Sequence, residues 1–150
     1  MQQKLSRFKN ILLLYLLGLS LFSCDAVPSK NAYDEVTYQS ISKLQQQNTQ
    51  FIAAIREQLG TEKAKYAYHQ AFYDKMRIKL INLQIRANAF DNNVHLQEHL
   101  RALKQTLSSL ETQHKAGFTN QASLDGTEQA FNRVCTAISK WQLQHKYDKQ

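Results

Sequence analysis

Residues 95–99 read His-Leu-Gln-Glu-His, a spacing that can bring two imidazoles and a carboxylate together on a helix. On one helical turn, His95 and His99 would lie on the same side with Glu98 beside them, an arrangement that can hold zinc and activate water. Leu96 and Leu100 define the buried stripe of the same helix, so the two histidines are expected outside that stripe or on its flank. No obvious distal acidic ligand completes such a site. We therefore expect exposed histidines, with a small zinc hydrolase through His95, Glu98 and His99 as an alternative.

The other three histidines, His69, His114 and His145, fall on or near the apolar seams of their helices. Converging imidazoles can bind a metal ion, which keeps open a metal-binding or metal-sensing function. Seam histidines near helix ends also form local hydrogen bonds or stabilise the helix terminus. Glu111 and His114 form one E-x-x-H element, whereas di-iron bundles need two. We therefore expect no metal and no cofactor.

Aromatic residues near the start of the second helix and isoleucines further along it form a candidate partner surface. The aromatic residues lie among lysines and are either core or a surface patch suited to a protein or glycan. The isoleucines lie on a face next to the main apolar stripe, which indicates a helix contacted from two sides or one with an extra partner. The candidate surface comprises Tyr66, Tyr68, Phe72, Ile78, Ile81 and Ile85.

Four segments carry the apolar periodicity of amphipathic helices. The 150 residues include only one Pro and four Gly, a composition typical of an all-α fold. Asn31 and Thr61 are expected to cap the first two helices, and Asp125 with Glu128 to form a capping box at the fourth. The predicted helices cover about 31–59, 61–90, 94–115 and 125–146.

Short connections separate these helices. Gly60 and Gly117 can adopt the left-handed conformation that ends a helix, and Asp91-Asn92-Asn93 breaks the second helix. Because short connections force neighbouring helices to run antiparallel, we expect an up-down four-helix bundle. The first two predicted helices are longer than the last two, so an overhang, a bend or a polar layer is expected near residues 45–48.

The charge balance argues against nucleic acid as a partner. The net charge of the whole chain is +7, but three of its 19 basic residues precede residue 24, whereas all 12 acidic residues follow it. The remaining 16 basic residues exceed the acidic ones by four, and they are interspersed with apolar residues along the helices. Such a mild excess favours anionic surfaces but is not a nucleic-acid signature.

Residues 1–23 have the composition of an export signal. Lys4, Arg7 and Lys9 precede an apolar run from Ile11 to Phe22. That run is shorter than the roughly 20 residues that a membrane-spanning helix needs, which favours a signal peptide over a permanent anchor.

The end of this segment, Leu21-Phe22-Ser23-Cys24, resembles the lipobox of bacterial lipoproteins, although Phe22 departs from the smaller residue that the family prefers. The resemblance implies that Cys24 carries diacylglycerol and becomes the N-terminus, with residues 24–30 as a short tether and 31–150 as the helical domain. The domain would then face the periplasm from the cell envelope of a Gram-negative bacterium. Asp25 resembles an inner-membrane retention signal, but the choice of membrane stays open. Cys135 is then left without a partner and is expected to be a small core residue.

These observations favour binding over catalysis. We expect a membrane-anchored lipoprotein whose bundle is a non-catalytic module for protein binding or envelope assembly, of the accessory-subunit, entry-exclusion or immunity type. The alternatives are a metal-binding or metal-sensing bundle that uses the seam histidines and, less favoured, the zinc hydrolase.

Overall fold

The computed structural model describes residues 33–89 and 93–147, which contain no strand and form four α-helices. Two short 3₁₀ helices, Glu62–Ala64 and Tyr66–Tyr68, connect the first two. Cys24 and the predicted cap Asn31 lie outside the described residues. The predicted all-α, up-down four-helix bundle is confirmed. Its helices are α1 (Glu35–Glu57), α2 (Gln70–Ala89), α3 (Val94–Ala116) and α4 (Gln121–Tyr147).

The apolar stripes of all four helices meet in one core. The most extensive contact between helices is that of α1 with α4, followed by α3 with α4 and by α2 with α3. The contact of α1 with α2 is the least extensive of these four. Val36 is 52% exposed, because the buried stripe of α1 passes through Thr37. The fully buried core side chains include Ile41, Leu44, Ile52, Ile55, Tyr73, Met76, Leu96, Leu100, Leu103, Leu107, Leu110, Phe131 and Ile138. None of the helices in the described ranges is long and apolar enough to cross a membrane.

Asp34 joins three helices where α1 begins. Its carboxylate caps α1 by accepting from the backbone N–H of Thr37 at 3.2 Å. The same carboxylate receives two hydrogen bonds from Arg86 near the end of α2, at 2.5 and 2.7 Å. Its own backbone N–H donates to Gln142 of α4 at 2.9 Å. We call this the N-terminal end of the bundle, and the opposite end the far end.

The second helix begins nine residues later than predicted. Gly60 ends the preceding turn with a φ of +83°, as expected of a terminating glycine. Thr61 does not cap a helix, because its hydroxyl donates to the carbonyl of Gln58 at 2.7 Å. Lys65 is extended, with φ −74° and ψ 145°, so residues 61–69 form two 3₁₀ helices and not one α-helix. The predicted length mismatch is therefore wrong, since the four helices have 23, 20, 23 and 27 residues.

The fourth helix begins earlier than predicted, at Gln121. The side chain of Asn120 accepts a hydrogen bond from the backbone N–H of Ser123 at 2.9 Å and so acts as the cap. Asp125 and Glu128, predicted as a capping box, lie inside the helix. They bind Arg56 of α1 at 2.7 and 3.1 Å and fasten α1 to α4 at the far end.

The glutamine run at residues 45–48 does not interrupt α1, which is continuous through it. Gln47 accepts a hydrogen bond from Lys79 of α2 at 2.5 Å. Asn48 is fully buried, and neither its side-chain nitrogen nor its oxygen has a hydrogen-bond partner among the described residues. The run therefore places one uncompensated polar group in the core.

Candidate functional site

A cluster of rings fills the far end of the bundle. Phe51 of α1 stacks on Phe72 of α2 with ring centroids 3.8 Å apart and planes within 9°. Tyr73 meets these two rings edge-on at 5.6 and 5.2 Å. His114 of α3 lies 5.7 Å from Phe51 and 5.2 Å from the ring of Phe118. With Tyr66 and His69 of the connecting segment, these residues form what we call the ring cluster.

His114 is the polar centre of the ring cluster and is only 2% exposed. Its Nε2 donates to the carbonyl of Ala64 at 2.8 Å, and its Nδ1 accepts from the hydroxyl of Tyr73 at 2.8 Å. Burial lowers the pKa of His114 below its usual value, although the bond to Ala64 opposes this. Burial also raises the pKa of Tyr73, so its hydroxyl stays protonated and donates. The imidazole is therefore neutral, and both nitrogens are occupied.

Glu111 lies one helical turn before His114 and is 8% exposed. It accepts from the hydroxyl of Tyr66 at 2.6 Å and pairs with Lys115 at 3.0 Å and with Arg77 of α2. Burial by itself would raise the pKa of Glu111, but the hydrogen bonds from Tyr66 and Lys115 and the charge of Arg77 lower it overall. Glu111 is thus an ionised carboxylate that fastens the connecting segment and α2 to α3.

The candidate aromatic surface divides into an inner and an outer part. Tyr66 and Phe72 are half-buried and pack against the core, so these two belong to the ring cluster and not to a surface patch. Tyr68 is 66% exposed at the far end. His69, which follows Tyr68 in the chain and belongs to the ring cluster, donates from Nε2 to the carbonyl of Lys63 at 2.7 Å. The inner aromatic residues therefore hold residues 61–69 against the helices.

The three isoleucines of α2 lie in solvent. Ile78, Ile81 and Ile85 are 58%, 53% and 64% exposed. Their spacing of three and four residues places them on one face of α2, beside the stripe that faces the core. We call this the isoleucine face. No described residue covers it.

A groove of about 570 Å³ runs between the isoleucine face and α3. Ile81 and Ile85 form one wall, and Leu80 and Leu100 contribute to the lining, although both are almost fully buried. On the opposite side, α3 contributes exposed polar side chains. The groove is therefore concave and apolar along one wall.

Among the described residues, only basic side chains supply charge to the lining of this groove. They are Arg77, Arg101 and Lys104. Arg77 is already paired with Asp74 at 2.5 Å and with Glu111. Arg101 and Lys104 are exposed, and neither has an ion-pair or hydrogen-bond partner within residues 33–89 and 93–147. The α3 side of the groove thus carries two uncompensated positive charges.

The H-x-x-E-H segment lies on the outer surface of α3. The side chain of His95 is 75% exposed and that of Glu98 57%, and their closest N and O atoms are 3.8 Å apart. His99 is half-buried on the flank of the Leu96–Leu100 stripe, as the sequence predicted. In the part of the chain that the structure describes, no three His, Cys, Asp or Glu side chains gather as metal ligands.

The three seam histidines do not converge. His69 and His114 lie at the far end, with ring centroids 5.5 Å apart. His145 lies towards the N-terminal end of the bundle, where its Nδ1 is 2.7 Å from the carbonyl of Trp141. Glu111 and His114, the E-x-x-H pair, are both buried and hydrogen-bonded to tyrosines. The seam histidines therefore form structural hydrogen bonds at opposite ends of the bundle and do not share one site.

Neither the depression between α3 and α4 nor Cys135 presents an ionised group. The depression has a volume of about 300 Å³ and is lined by Thr106, Ser109 and Thr127 with other neutral residues, and no ionisable side chain of the described residues contributes to it. Cys135 is fully buried, and burial raises the pKa of its thiol to about 12, which keeps it protonated. Its predicted place in the core is confirmed.

Comparison with known proteins adds no relationship. No family model matches the chain, and neither the curated proteins nor the solved structures give a significant match.

The isoleucines were identifiable from the sequence, but the two unpaired cations beside them were not. Arg101 and Lys104 follow Leu100 and Leu103, so the stripe of α3 already placed them just outside the core. The short connection already predicted α2 and α3 as neighbours, but nothing in the sequence shows which face of α2 lies beside α3. The Tyr73–His114 bond was also missed, since its partners are 41 residues apart.

Proposed function

We propose that this protein is a lipid-anchored component of the bacterial cell envelope whose helical bundle binds another protein and carries out no reaction. The observation that carries the proposal is the isoleucine face. Three β-branched apolar side chains, each more than half exposed, share one face of a helix whose core-facing stripe is already complete. Surfaces of this kind in soluble domains mark interaction sites.

The isoleucine face would supply part of the free energy that specific binding needs. Complete burial of an isoleucine contributes about 1.5–3 kcal/mol, and more than half of each side chain is still exposed here. Covering Ile78, Ile81 and Ile85 would therefore contribute roughly 1 kcal/mol or more per residue. Helical partners use such i, i+3, i+7 anchors.

The place of this face in the bundle suits a partner near a bilayer. Ile85 precedes Arg86, which binds Asp34 at the N-terminal end. Nine residues lie between Cys24, the residue proposed to be acylated, and Asp34, and the ten Cα–Cα steps from one to the other extend at most about 35 Å. From Ile85 the face extends about 11 Å along α2 to Ile78. A partner in the membrane or next to it would therefore be within reach.

The protein-binding part of the proposal is tested by the size of the native complex. Envelopes containing wild type, Ile81→Lys or Thr136→Lys are solubilised in mild detergent and separated by size. Thr136 is an exposed residue on α4, diagonally across the bundle from α2. We expect the wild type and the Thr136 variant in a large complex and the Ile81 variant free. Wild type that migrates as the free chain would contradict the proposal.

The lipid anchor is tested separately. Cells that produce wild type or Cys24→Ser are grown with labelled palmitate, and the protein is isolated from the membrane and soluble fractions. We expect label in wild type alone, and release of Cys24→Ser from the membrane fraction. Unlabelled wild type would disprove the anchor but would leave the isoleucine face to be tested by the complex size.

A further inference from the structure

The shape and the charge of the groove between α2 and α3 indicate what kind of partner binds there. Ile81 and Ile85 of the isoleucine face form one wall, and the opposite side carries Arg101 and Lys104, two cations without a partner among the described residues. We infer that it binds an amphipathic helix of the partner protein, with apolar anchors on one face and carboxylates along the edge that meets α3. This inference rests on the proposed function and specifies the chemistry of the partner.

The shape favours a helix over a bilayer. The groove is a depression of about 570 Å³ between two antiparallel helices, and Leu80 and Leu100 contribute to its lining. A helix of about 10 Å diameter can enter such a depression, with side chains at i, i+3 or i+4, and i+7 placed against Ile81 and Ile85. A flat bilayer would meet only the exposed crest of α2.

The positive charge of the groove favours a negatively charged partner and argues against a second copy of this chain as the occupant. In the described lining of the groove, all three charged residues are basic, and Arg77 alone is neutralised, by Asp74 and Glu111. A two-fold contact through the same groove would bring the Arg101 and Lys104 of both copies together. Like charges at an interface are unfavourable, whereas carboxylates would neutralise both cations.

The chain offers a matched control for this charge. Arg133 and Lys140 lie on the outer face of α4, are exposed and have no partner in the described part of the chain. Replacing both by glutamate changes the net charge by the same amount as Arg101→Glu with Lys104→Glu, but on another face. Any effect of net charge alone would therefore be the same in the two double variants.

The test uses the full chain in nanodiscs of zwitterionic phosphatidylcholine, which has no net charge, with empty nanodiscs as the baseline. Two labelled helical peptides of about 15 residues serve as probes. They share the same leucines at i, i+3 and i+7 and carry either glutamates or lysines beside them. Binding is followed by fluorescence anisotropy, and circular dichroism establishes that each variant is folded.

We expect the acidic peptide to bind wild type about tenfold more tightly than the basic one, since two exposed ion pairs each contribute a few-fold. Arg101→Glu with Lys104→Glu should reverse that preference, while the α4 double variant should keep it. Equal binding of the two peptides, or equal loss in both double variants, would overturn the inference. Binding to phosphatidylglycerol nanodiscs that depends on Arg101 and Lys104, with no peptide binding, would overturn it in favour of a lipid surface.

The failure of this inference is distinguishable from the failure of the proposed function. If the native complex is lost in Ile81→Lys but is unchanged in Arg101→Glu with Lys104→Glu, a protein still binds the isoleucine face and only the acidic-helix inference fails. If wild type forms no complex at all, the proposed function fails, whatever the peptides do.

Discussion

Tyr73→Phe isolates the hydrogen bond at the centre of the ring cluster. Tyr73 is fully buried, and its hydroxyl lies 2.8 Å from Nδ1 of His114. Phenylalanine keeps the ring and its edge-on contacts with Phe51 and Phe72, so no large cavity forms. The substitution therefore removes a single polar interaction from an otherwise intact core.

The expected cost follows from what remains after the hydroxyl is removed. A typical intramolecular hydrogen bond contributes about 0.5–1.5 kcal/mol, but a buried acceptor left without a donor costs about 1–3 kcal/mol. The Nδ1 of His114 would become such an acceptor, because the imidazole is 2% exposed and its Nε2 is already bonded to Ala64. We therefore expect the free energy of unfolding to fall by about 1–3 kcal/mol.

The assay is urea unfolding at neutral pH followed by circular dichroism. With a slope of about 2 kcal/mol per molar urea, the midpoint should fall by about 0.5–1.5 M. Tyr68→Phe is the matched control, since Tyr68 is 66% exposed and should change the stability by less than about 0.5 kcal/mol. Equal midpoints for the two variants would refute the reasoning, because the Tyr73 hydroxyl would then contribute no more than one in solvent.

Three further substitutions test the buried polar groups. Asn48→Leu should raise the melting temperature in a calorimetric scan, because it removes a fully buried amide that has no partner among the described residues and costs about 1–3 kcal/mol; a lower temperature would show that the amide is satisfied. Glu111→Gln should lower the free energy of urea unfolding by about 1–2 kcal/mol, because Arg77 and Lys115 lose their carboxylate, and unchanged stability would contradict this. Because the pKa of His114 is lowered in the folded protein, the unfolded chain binds a proton at this residue more readily. The contribution of neutral His114 to the free energy of unfolding is therefore complete above about pH 6.5 and falls by at most about 1.4 kcal/mol per pH unit below it. Unfolding free energies measured from pH 7 to 5 should fall for wild type and stay much flatter for His114→Gln; parallel curves would disprove the assignment.

The helices themselves were predictable from the sequence because their stripes are long and regular. The leucines of α3 recur at three and four residues from Leu96 to Leu110, and all of them are buried. Gly60 and Gly117 mark the ends of the first and third helices with φ of +83° and +92°. Periodicity and terminating glycines are local signals, so they need no knowledge of the neighbouring helices.

The start of α2 was not predictable in the same way. The spacing of Tyr66, His69 and Tyr73 continues the apolar period of α2, yet the α-helix begins only at Gln70. Contacts distant in the sequence account for the difference, since Tyr66 binds Glu111 and Ala64 binds His114. These interactions, and the packing of the rings on Phe51, outweigh the helical propensity of residues 61–69.

Only part of the candidate site was predictable from the sequence. A second apolar face on α2 is visible in the sequence as Ile78, Ile81 and Ile85, but the same pattern fits a helix buried on two sides. Only the packing shows that no described element covers this face, and only the pairing of α2 with α3 places Arg101 and Lys104 beside it.

The central claim, that another protein covers the isoleucine face, is tested most directly by photo-crosslinking in intact cells. A benzophenone amino acid is placed at position 81 on α2 or at position 136 on α4, and the adducts of this protein are followed by mass after irradiation. We expect one discrete, higher-mass protein adduct from position 81 and none from position 136. Equal labelling from both positions, or no protein adduct from position 81, would contradict it.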